Sequence, residues 1–429
     1  MIRKTFFGLA TPRLEYTLLT GELPEPHPIP PPEMATLFIE APFDVKNAAG
    51  LKVGDAVKRG QKLSLAGNGG PGVAATVSGK VVSIAPHIGD FGKTCTAVKI
   101  GVNGTTETDD GFAEQAKLPA LATALDYLVC VPGAPQLNKF VDPEVPIETI
   151  VIYGGDSDLL VTTNQFVIKA RLDEVKAGIA ALKQITGVEK IIIAVPGETV
   201  QGYGHIGAEM KRVSTEYPAA LPPMIMKDVL KRVVPAGQTP EDLGVTFVTA
   251  EAVAAIGEAF KTGSLPTSKL ITVVDKAGGA TLVSAVIGTP VGNVLSTLGI
   301  TLSDRDRLII GGPMTGAAIY SEDFPVTPET GAIMVQDRAD VPFVSDYPCI
   351  NCGDCVRICP VDIPVNMLVR FLEAGQYEDA ADQYDLYSCI DCGLCSFVCV
   401  AKIPIFQYIR LAKFELGRTR AAEAANDQS

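Results

Sequence analysis

Eight of the ten cysteines in this 429-residue chain fall into two copies of one spacing, C-x-x-C-x-x-C-x-x-x-C. The copies consist of Cys349, Cys352, Cys355 and Cys359, and of Cys389, Cys392, Cys395 and Cys399. Thiolates at this spacing are suited to hold iron–sulfur clusters, because tight turns bring three of them to one cluster. The pattern therefore predicts two 4Fe–4S clusters and the movement of single electrons.

The same run is found in bacterial two-cluster ferredoxins, in which the fourth cysteine of each run binds the other cluster. We therefore predict crossed ligation, with one cluster held by Cys349, Cys352, Cys355 and Cys399, and the other by Cys389, Cys392, Cys395 and Cys359. Gly353 and Gly393 allow the backbone to pass close to an inorganic sulfide. Zinc and disulfides are the alternatives, but zinc sites rarely use such a run, and disulfide frameworks are typical of small secreted scaffolds.

The similarity of the two runs extends past the cysteines. CPVDIPVNMLVRF begins at Cys359 and aligns with CVAKIPIFQYIRL, which begins at Cys399. Each segment has Ile-Pro starting four residues after its cysteine, followed by apolar residues at helical spacing. The sequence therefore predicts an α-helical ferredoxin domain over residues 339–429.

The bulk composition limits the classes of partner. The formal net charge is −13, which disfavours nucleic acid and direct docking on anionic lipid. Hydrophobic residues make up 47% of the chain, which is enough for the cores of about three domains. We expect no transmembrane helix, since no uninterrupted apolar stretch reaches about 18 residues. Reduced cysteines and the absence of an apolar leader favour the cytoplasm.

We expect four domains, and the predicted fold class is multidomain α/β. Residues 1–108 combine a proline-rich strap, GELPEPHPIPPP, with short alternating strands that favour a barrel-sandwich-like domain. Its hairpin tip, AGNGGPG, has no lysine, so a scaffold is favoured over a swinging carrier. Residues 109–243 alternate strand and helix, as in a Rossmann-like domain with a parallel sheet. Residues 244–338 favour a small β-grasp module with one helix.

The order of parts resembles the C subunit of the Rnf electron-transport complex over nearly the whole chain. The segments that carry the resemblance are KVGDAVKRGQKL, TVSGKVVSI, IGTPVGNVL, GGPMTG and the paired cysteine runs. The resemblance implies a Rossmann-like domain for FMN and NADH, and identifies the β-grasp module as a soluble-ligand-binding (SLBB) domain. It also implies membrane subunits that couple electron flow to sodium or proton translocation, and a peripheral position at the cytoplasmic side of the cell membrane. Cobalamin reductases and the flavoprotein subunit of complex I are similar in the central part.

Three flavin or nucleotide motifs of that family are altered. The flavin loop, roughly GxGGAGFPTxxKL, is replaced by VPGAPQLNKF (131–140), which keeps Gly133 and Lys139 but introduces prolines that lack an N–H group. A segment resembling NGAECEPY has become YGGDSDLL, in which Asp156 and Asp158 keep the negative charge, and YPxGxEKQL has become YPAALPPMI. Gly133, Lys139, Asp156 and Asp158 are the candidate cofactor residues. FMN binding is expected to be weak or absent.

The leading hypothesis is an electron-transfer subunit of a membrane-bound Rnf-type complex, with ion translocation assigned to its partner subunits. One alternative is an FMN-dependent NADH dehydrogenase subunit with a modified pocket. Another is a soluble iron–sulfur reductase similar to cobalamin reductase. The electron carrier is left open between ferredoxin, NADH and a cytochrome.

Overall fold

The computed structural model describes residues 12–42, 50–66, 72–89, 92–104, 107–141, 143–197, 206–345 and 347–427. These residues form a mixed α/β structure with a helical C-terminal part. No helix in the described ranges is long and apolar enough to cross a membrane.

Seven strands of the described residues lie in the N-terminal part, all antiparallel except the first, which pairs in parallel with Val283 and Ser284. They are β1 (His27–Pro28), β2 (Met34–Ile39), β3 (Ala56–Val57), β4 (Lys62–Ser64), β5 (Gly72–Ala74), β6 (Gly79–Ile88) and β7 (Thr94–Val102). Four of them form a sheet in the order β2-β7-β6-β3, and β4 pairs with β5. Alternate side chains such as Val98 and Ile100 are fully buried, as expected for a sheet with one face on a core. Most of the lysine-free tip, residues 67–71, lies outside the described residues.

A parallel four-stranded sheet forms the centre. Its strands are β8 (Thr149–Tyr153), β9 (Lys190–Pro196), β10 (Glu209–Val213) and β11 (Val245–Thr249), in the order β10-β9-β8-β11. The helices of this region are α1 (Gly111–Gln115), α2 (Leu121–Tyr127), α3 (Thr163–Ala170), α4 (Leu172–Thr186), α5 (Pro222–Asp228) and α6 (Ala250–Thr262). The inner strands are continuously apolar because helices or loops cover both faces.

Residues 245–262 lie beyond the predicted domain boundary at residue 243 but pack with the sheet that precedes it. Strand β11 pairs in parallel with β8, from Val245 opposite Thr149 to Thr249 opposite Tyr153. Helix α6 packs closely on α4, since a Cβ on Gly178 would lie 1.9 Å from the carbonyl oxygen of Val253. The strand and helix that were expected to open the next module therefore complete the parallel sheet.

The following six-stranded sheet has the order β1-β13-β12-β16-β14-β15. It contains β12 (Ser268–Val274), β13 (Ala280–Val286), β14 (Arg307–Ile310), β15 (Ala317–Ile319) and β16 (Ala332–Gln336), with helix α7 (Val291–Thr297). The strap joins this sheet, since His27 and Pro28 pair with Val283 and Ser284. A buried ion pair between Lys269 and Glu251 connects β12 to α6.

The C-terminal part is helical. It contains α8 (Asp354–Arg357), α9 (Val365–Glu373), α10 (Tyr377–Gln383), α11 (Leu394–Val398) and α12 (Ile405–Asp427). Helix α9 buries Val365, Leu368, Val369 and Leu372, which recur every three or four residues and so lie on one face. This face and α12 form a hydrophobic core that also contains Cys355, Cys395 and Cys399.

Candidate iron–sulfur sites

Two cavities in the C-terminal part are each lined by four cysteines. The first cluster site is lined by Cys349, Cys352, Cys355 and Cys399. The second cluster site is lined by Cys359, Cys389, Cys392 and Cys395. Three cysteines of each set come from one run and the fourth from the other, which is the predicted crossed grouping. The rest of each lining is glycine, proline or apolar residues, including Ile403 at the first site and Phe406 at the second.

The same backbone geometry occurs at both sites. Asn351 and Asp391 have φ values of +59° and +55°, and Gly353 and Gly393 have +76° and +73°. Asn, Asp and Gly are the residues that adopt this left-handed region at least cost. Each pair of left-handed residues turns the chain so that the first three thiols of a run face one cavity, just before a short helix begins.

Burial controls the protonation of several thiols. It raises the pKa of Cys355 and of Cys392 to about 11 each, and the pKa of Cys389 to about 12. Neighbouring cysteines add to the shift, because several thiolates in one cavity repel one another. A thiol must lose its proton to bind iron. The donor set therefore fits a cationic iron core, which would offset the charge repulsion between the thiolates.

One cation is bonded to the backbone of each site. At the second site, the Lys413 ammonium donates to the Cys389 carbonyl at 2.7 Å and to Asp391 Oδ1 at 3.0 Å. At the first site, Arg357 Nη2 donates to the Cys352 carbonyl at 3.2 Å and pairs with Asp354. A positive charge near an iron–sulfur cluster favours its reduced, more negative state.

The two sites differ in their exposure. Cys352 of the first site is exposed, and its neighbour Ile350 is 65% exposed. Two cysteines of each site are equally buried, since Cys355 and Cys399 at the first site and Cys392 and Cys395 at the second are 7% and 9% exposed. The cover of the second site comes partly from the central part of the chain, since Tyr217 Oη donates to the Cys392 carbonyl at 2.7 Å. The sites therefore differ in the exposed thiol of Cys352 at the first and in the contact from Tyr217 at the second.

Gly133 and Lys139 of the altered flavin loop are both engaged within the chain. The Gly133 N–H donates to the Pro328 carbonyl at 2.8 Å. Its Cα lies against the start of α6, where a Cβ would be 2.5 Å from the Ala252 nitrogen. Gly133 is thus packed against the first turn of α6. The Lys139 ammonium forms an ion pair with Glu241.

Asp156 and Asp158 are buried and point to two different elements. Asp156 Oδ1 accepts from the Asn164 N–H at 2.9 Å, which caps the first turn of α3. Burial raises the pKa of Asp156, and these hydrogen bonds oppose the shift. Asp158 instead accepts from the Thr315 N–H and hydroxyl at 2.8 and 2.7 Å. In the structure, each of the four candidate cofactor residues, Gly133, Lys139, Asp156 and Asp158, is engaged by a contact within the chain.

Residues 342–400 match the family model of the 4Fe-4S dicluster domain. The chain resembles the C subunits of Rnf complexes. It is 29% identical to the C subunit of the ion-translocating oxidoreductase complex of Pseudomonas aeruginosa, over 88% of this chain and 52% of that protein. It is 28% identical to the C subunit of the proton-translocating ferredoxin:NAD(+) oxidoreductase complex of Clostridium ljungdahlii, over 84% of this chain and 83% of that protein. A solved NAD+-reducing [NiFe]-hydrogenase chain aligns with a TM-score of 0.44 and 14% identity, covering 73% of this chain and 68% of that one.

Three residues near the clusters were not predicted from the sequence. Arg357 and Lys413 lie in the two repeated segments, but neither cation is repeated. The position that corresponds to Arg357 in the other repeat is Phe397, and the one that corresponds to Lys413 is Glu373. The internal repeat therefore gives no signal for either cation. Tyr217 lies in one of the altered motifs, and its contact with the dicluster domain spans 175 residues of sequence.

Proposed function

We propose that this chain is an electron-transfer subunit of a membrane-bound Rnf-type complex, in which two 4Fe–4S clusters carry single electrons. The observation that carries the proposal is the convergence of four cysteines on each of two cavities. The match of residues 342–400 to a dicluster domain and the similarity to C subunits of ion-translocating complexes support it. The chain spans about half the length of the P. aeruginosa protein, so the activity is inferred for the shared part.

Crossed ligation is part of the proposal. We assign the first cluster to Cys349, Cys352, Cys355 and Cys399, and the second cluster to Cys359, Cys389, Cys392 and Cys395. Each cluster, when bound, supplies reversible one-electron storage. The protein holds the thiols in fixed turns, shields them with apolar side chains, and brings the cations of Arg357 and Lys413 close to the negative charge.

The exposed first site is proposed as the point of exchange with an electron carrier. Cys352 is exposed, whereas the second site is covered by the central part of the chain. Ferredoxin, NADH and a cytochrome are the candidate carriers. A small redox protein could approach the first cluster through the limited contact area that is typical of transient electron-transfer complexes.

The partners are proposed to be the other subunits of the complex, which would carry out ion translocation. The chain would then sit peripherally at the cytoplasmic side of the membrane. We also propose that the N-terminal strands form a barrel-sandwich-like domain, that the parallel sheet through α6 is Rossmann-like, and that the six-stranded sheet contains the SLBB-type module. The packing of β11 and α6 supports a boundary near residue 265, where α6 has ended, in place of residue 243.

The alternatives make different use of the central sheet. An FMN-dependent NADH dehydrogenase would need a flavin site there, but Gly133, Lys139, Asp156 and Asp158 are engaged elsewhere. A soluble reductase similar to cobalamin reductase would function without membrane partners. The similarity to subunits of ion-translocating complexes favours the electron-transfer subunit over both.

Rapid-mixing kinetics on the reconstituted chain would test the proposal. Reduced ferredoxin should bleach the visible absorbance of the clusters quickly, with or without added FMN. NADH should do so slowly or not at all. Fast reduction by NADH that depends on FMN would support the dehydrogenase instead. Affinity purification from solubilised membranes should also recover other subunits of the complex, and recovery of the chain alone would favour the soluble reductase.

A further inference from the structure

The loop of the second cluster site is attached to the central part of the chain by a tyrosine hydroxyl. Tyr217 Oη donates to the carbonyl oxygen of Cys392 at 2.7 Å, and the Tyr217 side chain is 7% exposed. The ring packs on Tyr16 with a centroid separation of 5.5 Å. Cys392 and Leu394 belong to the same hydrophobic cluster as these two rings. The hydroxyl is thus a directed contact between the parallel-sheet region and a cluster-binding loop.

A second attachment runs through Asp158. Its carboxylate accepts from the N–H groups of Met314 and Thr315, at 3.1 and 2.8 Å, and from the Thr315 hydroxyl at 2.7 Å. Residues 312–315 therefore wrap around one buried carboxylate. The Met314 carbonyl oxygen packs closely against the cluster loop, because a Cβ added to Gly393 would lie 2.7 Å from this oxygen.

The first cluster site has a different environment at the corresponding position. A Cβ on Gly353 would meet only the flexible end of Arg357, at 3.1 Å. The adjacent Cys352 is exposed. Among the described residues, the contact from Met314 is therefore made to the loop of the second site and not to that of the first, although the two runs share one cysteine spacing.

We infer that Asp158 and Tyr217 are positioning residues for the second cluster, and that they set its reduction potential apart from that of the first. This inference rests on the proposed function. Both residues lie in segments where the family resemblance pointed to a nucleotide. In this chain they hold the loop of residues 389–395 against the central part, limit the access of water, and place one hydroxyl dipole beside Cys392. Solvent exposure and hydrogen bonding are two of the factors that determine iron–sulfur potentials.

The two contacts predict shifts of opposite sign. Tyr217→Phe removes the positive end of a dipole near the cluster, which disfavours the reduced, more negative state and lowers the potential of the second cluster. Asp158→Asn removes a negative charge and releases residues 312–315, so water reaches the second cluster and its potential rises. Neither variant should change the potential of the first cluster, because in the part of the chain that the structure describes Asp158 and Tyr217 make no hydrogen bond to the residues that line it.

The test is an EPR-monitored redox titration of the full chain after anaerobic cluster reconstitution, with signals assigned from single Cys→Ser variants. Tyr16→Phe is the control for Tyr217→Phe, because the Tyr16 hydroxyl accepts from the Ala220 N–H and its ring shares the same core. Asp156→Asn is the control for Asp158→Asn, because Asp156 caps α3. Both controls should leave the second potential unchanged. Thr315→Val keeps the charge of Asp158 but removes one of its donors and loosens residues 312–315, so it should shift the potential of the second cluster and not that of the first, even where Asp158→Asn fails to fold.

An unchanged second potential in Tyr217→Phe and in Thr315→Val, with both clusters present, would overturn this inference alone. Equal shifts of both clusters would also overturn it, since they would indicate a general loosening of the fold. A wild-type chain that assembles no second cluster would overturn the proposed function as well, so the two failures can be told apart.

Discussion

Replacing Gly393 with alanine should destabilise the second cluster site far more than the equivalent change at Gly353 affects the first. Both glycines have a positive φ, +73° and +76°, at which a residue with a Cβ costs about 1–2 kcal/mol. At Gly393 the added Cβ would also lie 2.7 Å from the Met314 carbonyl oxygen. Overpacking against backbone of this kind costs a further ~1–3 kcal/mol.

At Gly353 the nearest atom is the flexible end of Arg357, at 3.1 Å, which can move away. The difference of about 1–3 kcal/mol corresponds to a roughly 5- to 150-fold larger loss of cluster affinity in Gly393→Ala. Reconstituted variants would be challenged with an iron chelator, and the reduced samples followed by EPR. Gly393→Ala should lose the second-site signal first, and Gly353→Ala should lose either signal only slightly faster than wild type. Equal losses in the two variants would refute the steric argument.

Three further predictions follow from the same geometry. Cys359→Ser should perturb the cluster that also involves Cys389, Cys392 and Cys395, because Cys359 lines their cavity; an EPR change confined to the other cluster would reverse the assignment. Cluster assembly should weaken as the pH falls from about 9 to about 7, because thiols such as Cys355 and Cys392, with pKa values raised to about 11, must release protons to bind iron. Chelator competition at several pH values measures the affinity for the cluster, and a pH-independent affinity would contradict the prediction. The purified chain should not float with anionic liposomes unless partner subunits are present, because its net charge is −13. Tight binding of the isolated chain would contradict this and would indicate a lipid-contacting surface.

The apolar period after each cysteine run predicted the helices of the C-terminal part, and the cysteine spacing gives the proposed grouping of thiols at each cluster. Those features depend on short-range turns and on a period of three or four residues, which a sequence displays directly. The alternation of strand and helix likewise indicated the parallel sheet. The pattern of residues 245–262 indicates the strand and the helix that the structure contains, while the boundary predicted at residue 243 separates them from the sheet that they join. Which edge of a sheet a strand joins is decided by long-range packing, here by the close contact of α6 with α4.

The roles of the residues in the altered motifs could not be predicted from the amino-acid sequence. Asp158 retains the charge expected of a nucleotide ligand, yet its partners are Met314 and Thr315, more than 150 residues further along the chain. Lys139 similarly pairs with Glu241. A buried carboxylate or ammonium acquires its function from the group that folding places opposite it. The sequence pattern indicates where the motifs have changed, and the contacts show what each residue now binds.

The most direct test of the central claim is the iron and acid-labile sulfide content of the chain after anaerobic reconstitution, combined with EPR spin quantification of the fully reduced sample. The account predicts about eight irons and eight sulfides per chain, and two reduced clusters. A stable product with about four irons, or one that takes up zinc in place of iron, would contradict it.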